Sequence, residues 1–242
     1  GYTTFLHPGV DPNKIQGIVL NPMQQSEPSK VAIFGNACYS WNIWQSEEEA
    51  QRCWNASFKY VDHNSALETK ASAALRELSK HMINQNMDGR VTALQESVDL
   101  KDRLASFKEA ISNGTTISDE QFEDLLNEFT ILKNASATYR AQAGDTRVKD
   151  QIVYWLNCWD DTTDAAINYI KAIKAAQDGD ANDKIWDLYA AGQAAFEKSK
   201  TYGFNYVDHL EYAEVGVQHI VPFIKTMDSY LGCLLYTSPS PR

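Results

Sequence analysis

The positions of the prolines constrain the fold of this 242-residue chain more than any other feature. Residues 29–221 contain no proline, because all seven lie near the ends, at Pro8, Pro12, Pro22, Pro28, Pro222, Pro239 and Pro241. Proline breaks helix interiors, so this long stretch is free to be helical. Glycines, which often follow the C-terminus of a helix, recur inside it at Gly89, Gly114, Gly144, Gly179 and Gly203. The sequence therefore predicts a mainly α fold, a multi-helix antiparallel bundle with short loops.

Apolar periodicity supports the same fold class. Apolar residues recur every three to four positions over 67–82, 122–139 and 152–173, as on the buried face of a helix. Ser65-x-x-Glu68 and Ser118-x-x-Gln121 match the capping box that begins many helices. The predicted helices are 46–58, 65–86, 91–112, 119–142, 147–177, 182–201 and 206–230.

The two ends of the chain differ from its middle. Residues 16–20 are a short apolar run that predicts one strand, and an amphipathic segment from Ser26 to Asn36 predicts one helix after it. One βα unit exposes its strand edges, so it is predicted to be the last piece of a larger α/β domain. The last ten residues change composition abruptly and resemble translated cloning read-through. We therefore expect an α/β remnant at 1–45, a helical bundle at 46–232 and a non-native tail at 233–242.

Composition excludes several classes of function. The formal net charge is −10, without a run of Lys or Arg, which argues against nucleic acid and anionic membranes as partners. No segment approaches the roughly 20 apolar residues that a membrane span needs. The four cysteines are too few and too scattered for a disulfide framework, and no CxxC pair or Gly-rich phosphate loop is present. We expect no cofactor and no metal.

Several side-chain groups resemble catalytic or metal sites. Asp160-Asp161 could be a carboxylate pair, but it lies inside a helical pattern, where adjacent positions point about 100° apart, and the sequence favours a solvated face. The segment Phe58-Lys-Tyr-Val-Asp-His63 recurs as Phe204-Asn-Tyr-Val-Asp-His209. Its Asp-His pairs could contribute to a metal site. The sequence instead favours two helix starts, in which each Asp carboxylate lies near the positive end of the helix dipole. His81 and His219 lack a nearby nucleophile.

Five aromatic residues between positions 154 and 189 suggest an alternative function. Aromatic rings stack on sugars, so the chain could be a non-catalytic helical module that binds glycan or protein. At helical spacing such residues more often form the core of a bundle. Their exposure separates the two interpretations, and a third interpretation is a bundle that acts only as a spacer. The residues are Tyr154, Trp155, Trp159, Trp186 and Tyr189.

One segment resembles a known family. Asn21-Pro-Met-Gln-Gln-Ser-Glu-Pro-Ser-Lys-Val-Ala-Ile-Phe34, with Tyr39-Ser-Trp-Asn42 after it, resembles the end of the catalytic barrel in glycoside hydrolase family 84. These are the bacterial β-N-acetylglucosaminidases and hyaluronidases related to O-GlcNAcase. Ala213-Glu-Val-Gly216 and His219-Ile-Val-Pro-Phe223 resemble the closing helix of the bundle domain that follows the barrel. The resemblance covers residues 16–231, with departures at Cys38 and Pro28.

The resemblance implies a secreted parent enzyme with a (β/α)8 barrel, which cleaves terminal β-linked N-acetylglucosamine with retention. In this family the 2-acetamido group of the sugar attacks the anomeric carbon, assisted by an adjacent Asp pair. That pair belongs to an earlier barrel strand, so the chain is expected to contain no catalytic residue and to be inactive alone. Its implied partners are the rest of the catalytic domain and glycans containing N-acetylglucosamine.

One binding residue is carried over from the family. Asn21 matches the asparagine that hydrogen-bonds the bound sugar. It would follow the final strand at the C-terminal end of the barrel, where barrel active sites form. Its amide offers both a donor and an acceptor to neighbouring hydroxyls. Without the resemblance, Asn21-Pro22 would be interpreted as a plain turn.

Overall fold

A computed structural model describes residues 11–82 and 96–237 of the chain. These residues are mostly helical, which confirms the predicted fold class. A 3-10 turn at Pro12–Lys14 precedes the first helix, and none of the helices in this part of the chain is long and apolar enough to cross a bilayer. The helices are α1 Lys30–Trp41, α2 Glu47–His63, α3 Lys70–Ser79, α4 Lys101–Asn113, α5 Asp119–Gln142, α6 Thr146–Gln151, α7 Val153–Gln177, α8 Asn182–Ser199 and α9 Ile220–Thr237.

The chain divides into two compact units. Unit 1 consists of Gly1–Arg76 and Thr138–Val153, and unit 2 consists of Glu77–Ala137 and Tyr154–Arg242. Each unit is therefore built from two separate stretches of sequence. The sequence-based boundaries after residues 45 and 232 stay predictions.

Unit 1 is organised around the packing of α1 on α2. A small apolar cluster of Tyr39, Trp44 and Ala50 is buried, and the rings of Tyr39 and Trp44 meet edge to face at 5.2 Å between centroids. At the start of α2, the Ser46 hydroxyl accepts a hydrogen bond from the backbone N–H of Glu49 at 3.3 Å. This cap satisfies one of the N–H groups that the first turn leaves without an intrahelical partner.

The core of unit 2 is rich in aromatic side chains. Phe107 of α4, Phe122 and Phe129 of α5 and Phe223 of α9 are fully buried, with ring centroids 5.5–6.0 Å apart. The predicted capping box at the start of α5 forms. Its two hydrogen bonds are Gln121 N–H to Ser118 Oγ at 3.2 Å and Ser118 N–H to Gln121 Oε1 at 3.1 Å.

The prediction of a strand at residues 16–20 is wrong, because this segment has no regular secondary structure. Ile18, Val19 and Leu20 are 42%, 98% and 38% exposed. A strand requires hydrogen bonds to a neighbouring strand, and the described residues place none beside this segment. The helix predicted to follow it does form, as α1, although it begins four residues later than predicted, at Lys30 rather than Ser26.

The predicted helix at 206–230 is also wrong in its first half. An antiparallel hairpin occupies this region, with β1 at Gly203–Tyr206 and β2 at His209–Tyr212, and Gly203 pairs with Tyr212. Aromatic and β-branched residues favour strands, and they outweigh the absence of proline here. Helix α9 begins only at Ile220 and continues to Thr237.

The predicted start of α3 is displaced. The helix begins at Lys70 rather than after Ser65, and Thr69 and Ser72 form its reciprocal cap. The Ser72 N–H donates to Thr69 Oγ1 at 3.1 Å, and the Thr69 N–H donates to Ser72 Oγ at 2.9 Å. The parts of predicted helices 65–86 and 91–112 that fall on residues 83–95 lie outside the described residues.

Candidate functional site

The predicted sugar contact, Asn21, lies in the irregular segment before α1. Its side chain is exposed, and within residues 11–82 and 96–237 its amide makes no hydrogen bond. Both its donor and its acceptor are therefore available to a ligand from outside this part of the chain. An Asn-Pro turn does not need a free side-chain amide, whereas a sugar contact does. The geometry of Asn21 fits both interpretations.

The segment that follows Asn21 is held in place by α6. The backbone N–H of Glu27 donates to Gln151 Oε1 at 2.8 Å. The Glu27 carboxylate pairs with Lys30 and lies 3.7 Å from the Arg147 guanidinium. The contacts of Glu27 with Gln151 and Arg147 join residues more than a hundred positions apart, and no sequence pattern indicated them. They hold the segment that follows Asn21 in place at Glu27.

A polar cavity of about 590 Å³ lies where the end of α2 meets the loop before α6. Asp62 is buried beside it and accepts a hydrogen bond from the backbone N–H of Gly144 at 3.0 Å. Its other oxygen lies 3.2 Å from Nδ1 of His63. Gly144 is required at this contact, because a Cβ there would lie 2.6 Å from the Asp62 carbonyl oxygen. The carboxylate therefore fastens two parts of unit 1 together.

The charges around this cavity are already matched. Lys30 pairs with Glu27, and Arg147 pairs with Asp145 at 2.7 Å. The buried Tyr139 hydroxyl faces Asp62 without hydrogen-bond geometry, and burial together with that carboxylate raises the pKa of Tyr139. Neither a free cation nor an activated acid is offered to a ligand by these groups, so the cluster is structural.

The carboxylate pair Asp160-Asp161 is not a catalytic dyad in geometry. Asp161 is 8% exposed, so the predicted solvated face is wrong for this residue. Lys198 lies 3.2 Å from its Oδ1, and the Tyr202 hydroxyl donates to its Oδ2. Asp160 is half-buried. Asp161 is buried because it lies on the inward face of α7, between the half-buried Asp160 and the buried Thr162, and periodicity alone does not resolve this.

The two Asp-His pairs do not begin helices, contrary to prediction. Asp62 and His63 end α2, and Asp208 and His209 lie in the turn and second strand of the hairpin. His209 pairs with Glu211 at 3.0 Å between Nε2 and Oε1. Within the part of the chain that the structure describes, no three His, Cys, Asp or Glu side chains come close enough to hold a metal ion.

Two further histidines of the described part of the chain, His81 and His219, are unsuited to acid–base chemistry at neutral pH. His81 is 2% exposed, and burial, with a smaller effect of the Lys80 charge, lowers the pKa of its imidazole to about 3. Its Nδ1 bonds the Ser97 hydroxyl at 2.8 Å. Burial and nearby lysines also lower the pKa of His219. Both rings are therefore neutral.

Glu96 is a buried carboxyl that sequence reasoning missed. Its Oε1 accepts a hydrogen bond from the backbone N–H of Gln218, and Gln218 Oε1 accepts one from the Glu96 N–H at 3.1 Å. Burial raises the pKa of Glu96 to about 7, and the Glu214 charge acts in the same direction. No local pattern marks this residue, because its partners lie beside the start of α9.

The aromatic residues of the alternative hypothesis are mostly core. Trp159 is fully buried and Tyr189 is 3% exposed. Trp155 and Trp186 are half-buried, while Tyr154 is 39% exposed and lies beside Phe204 at 5.6 Å between centroids. A binding module based on these side chains therefore loses its central members.

Exposed aromatic surface instead lies on the hairpin. Tyr212 and Leu210 are 51% and 54% exposed and share one face of the sheet with Gly203 and Asn205. A Cβ on Gly203 would lie 3.0–3.1 Å from side-chain carbons of Leu210 and Tyr212, so both side chains rest on this glycine. The sequence analysis missed this surface because it predicted a helix at 206–230. In a helix, Leu210 and Tyr212 would point in different directions and would not share one face.

Comparison with known proteins gives two kinds of match. The family model for β-N-acetylglucosaminidase matches residues 1–80. The solved structure of CpGH84D matches with a TM-score of 0.80 and 26% sequence identity, covering 93% of this chain and 36% of that one. The structure of CpGH84B matches with a TM-score of 0.70 and 18% identity, covering 89% of this chain and 34% of that one.

The chain thus spans about a third of the length of the solved proteins that it matches. The family model and the structural matches agree. The family model and the match to CpGH84D support the resemblance to glycoside hydrolase family 84, and the match to CpGH84B shows the same fold.

Proposed function

We propose that this chain is the C-terminal part of a secreted β-N-acetylglucosaminidase of glycoside hydrolase family 84. The observation that carries the proposal is the match to CpGH84D over 93% of the chain, together with the family model at residues 1–80. The parent enzyme would remove terminal β-linked N-acetylglucosamine from glycans or glycoproteins with retention. Its nucleophile would be the 2-acetamido group of the substrate, an exception to the usual two-carboxylate scheme.

Within that enzyme the chain would help to bind the sugar and would support the barrel, but it would not carry out the chemical step. The exposed amide of Asn21 would donate to one sugar hydroxyl and accept from another. The contacts of Glu27 with Gln151 and Arg147 would hold the following segment, and so fix the direction of that amide. The buried carboxyls that the structure describes are not presented to a substrate: Asp62 and Asp161 are already bonded, and Glu96, whose pKa burial raises to about 7, is 1% exposed and accepts the Gln218 N–H. We therefore expect the 242 residues alone to be inactive.

The test is hydrolysis of a chromogenic β-N-acetylglucosaminide by this chain and by a longer chain that restores the upstream barrel. Activity in the longer chain alone is the expected result. Activity in the short chain would contradict the proposal and would make Asp160 and Asp161 candidates again. Inactivity of both, with both folded by circular dichroism, would favour the binding-module alternative.

Asn21 has a separate test in the longer enzyme. Asn21→Ala should lower kcat/KM about tenfold, the effect of losing hydrogen bonds of ordinary strength in the transition state. Asn36→Ala removes the same amide from the side of α1, where it bonds the Ala32 carbonyl at 3.0 Å, and should leave kcat/KM unchanged. Equal effects of the two variants would remove the assignment of Asn21 to the sugar site.

A second candidate function rests on the hairpin surface. Tyr212, held against Gly203 and flanked by the exposed Asn205 amide, offers a ring face and hydrogen-bonding groups to a sugar. The chain would then act as a glycan-binding module. Tyr212→Ala should abolish retention of the chain on immobilised N-acetylglucosamine oligomers, whereas Tyr236→Ala, which removes an exposed tyrosine from α9, should not.

A further inference from the structure

Two of the four cysteines meet across the contact between α1 and α2. Cys38 of α1 and Cys53 of α2 are both half-buried, and both pack against the apolar cluster of Tyr39, Trp44 and Ala50. The Cys38 thiol also lies close enough to the Cys53 thiol to influence its ionisation. The other two, Cys158 and Cys233, lie in unit 2.

The surroundings of Cys53 control its reactivity. Burial, reinforced by the neighbouring Cys38, raises the pKa of the Cys53 thiol to about 12. The thiolate is the reactive form of cysteine, so at neutral pH this thiol reacts slowly. Two neighbouring thiols that stay reduced can be joined in a disulfide by an oxidant, provided that α1 and α2 keep their positions.

We propose that Cys38 and Cys53 are a disulfide-forming pair, which links α1 to α2 when the chain meets a low-molecular-weight disulfide such as oxidised glutathione. The Cys38 thiolate attacks one glutathione sulfur, forming a mixed disulfide and releasing one glutathione thiolate. Cys53 loses its proton to solvent and attacks Cys38 Sγ, which releases the second glutathione. Two protein thiols are oxidised, and one glutathione disulfide is reduced to two thiols. The link would hold α1 to α2, and it is independent of the proposed hydrolase activity.

Peptide mapping of the full 242-residue chain tests this proposal. The chain is incubated with oxidised glutathione at pH 8.5, its remaining thiols are alkylated, and it is digested with trypsin. Trypsin cleaves after Arg52, so Cys38 and Cys53 fall on separate peptides, 31–52 and 53–59. The expected product is these two peptides joined, lighter by two hydrogens than their sum, and separated by dithiothreitol. The melting temperature of the oxidised chain should rise.

Matched variants identify the order of the reaction. Cys53→Ser should stop at a glutathione adduct on peptide 31–52, and neither Cys53→Ser nor Cys38→Ser should show the rise in melting temperature. Cys158→Ser, which changes a buried cysteine of unit 2, should still give the joined peptides. Glutathione adducts on both peptides of the native chain without a joined product, or a joined product that contains Cys233 instead, would overturn the proposal. So would complete alkylation of both thiols after the incubation.

Discussion

Gly144 is a position where the close approach of two backbones depends on one residue. Its missing Cβ would lie 2.6 Å from the Asp62 carbonyl oxygen and 2.8 Å from His63 Cβ. Neither atom belongs to a flexible side-chain end, so a methyl group at residue 144 must displace the loop or the end of α2. The hydrogen bond from the Gly144 N–H to Asp62 would be strained by the same movement.

Gly144→Ala should therefore lower the free energy of unfolding by about 2–3 kcal/mol, the usual cost of forcing an extra carbon into a packed site. Urea denaturation followed by circular dichroism measures the change. Gly17→Ala is the control, because a Cβ at Gly17 meets nothing within 4 Å. If the two variants were equally stable, the close contact at Gly144 would not be a constraint on the fold.

Glu96 predicts a dependence of stability on pH. Burial raises the pKa of its carboxyl to about 7 from 4.5, so the folded chain keeps a proton that the unfolded chain has lost. The unfolded state then binds fewer protons, and the contribution of Glu96 to stability falls as pH rises from about 4.5 to about 7. From the difference in pKa, the fall amounts to about 3 kcal/mol.

Glu96→Gln should remove this fall while its side-chain oxygen still accepts from the Gln218 N–H. His81 has the opposite effect in an overlapping range, because burial lowers the pKa of its imidazole. The measurement is therefore the difference in unfolding free energy between variant and wild type, which should grow in favour of the variant from pH 5 to pH 8. Glu123→Gln, at an exposed site, should show a constant difference. A constant difference for Glu96→Gln as well would contradict the assignment.

At the scale of elements, one repeated sequence adopts two structures. Phe58-Lys-Tyr-Val-Asp-His63 is the last part of α2, whereas Phe204-Asn-Tyr-Val-Asp-His209 forms most of β1, the turn and the first residue of β2. The two segments differ at a single inner position, so local preference does not decide between them. In α2, Phe58 is fully buried and packs edge to face on Trp54 at 4.7 Å. In the hairpin, Phe204 packs instead on Trp155 at 5.0 Å.

The hairpin turn contains the most strained element of this region. Val207 has φ 52°, in the left-handed region, and it is a β-branched residue, for which that conformation is unfavourable. Asp208, the other loop residue, does not have a positive φ. Hairpin turns with positive φ only at the first loop position favour glycine there.

Val207→Gly should therefore stabilise the chain, by about 1 kcal/mol, because it relieves part of the cost of the strained conformation. Thermal unfolding followed by circular dichroism detects the increase. Asp208→Gly, at the neighbouring position without positive φ, should give no increase, since glycine there only adds freedom to the unfolded chain. A loss of stability in Val207→Gly would show that Val207 is held by contacts rather than strained.

Comparison of the predicted helices and strands with the observed ones shows what a sequence pattern can determine. Long periodic segments gave α5 and α8 with bounds close to those observed, and the Ser118 capping box formed as predicted. The single helix predicted at 147–177 is instead divided at Ile152 into α6 and α7. The strand at 16–20 failed because strand formation depends on a neighbour that periodicity does not supply. The candidate site was partly visible: the resemblance pointed to Asn21, whereas the contacts of Glu27 with Gln151 join residues far apart in sequence and left no local pattern.

At the scale of the whole molecule, the proposed sugar site would lie only partly within this chain. Asn21 would contribute one exposed amide, and each of its hydrogen bonds to the sugar would be worth about 1 kcal/mol. Association of a ligand costs several kcal/mol in lost freedom of motion, which one such contact cannot offset. The chain alone should therefore not bind N-acetylglucosamine measurably, although a longer chain with the barrel should.

Thermal shift measurements compare the two directly, because a ligand that binds only the folded state raises the melting temperature. N-acetylglucosamine at about 10 mM should raise that of the longer chain and leave that of the 242-residue chain unchanged, since a Kd well above this concentration gives no shift. Asn21→Ala should reduce the shift in the longer chain. A shift in the short chain would indicate a complete site within it. If Tyr212→Ala abolished that shift and Asn21→Ala did not, the site would be the hairpin surface, and glycan binding would replace barrel support as the role of this region.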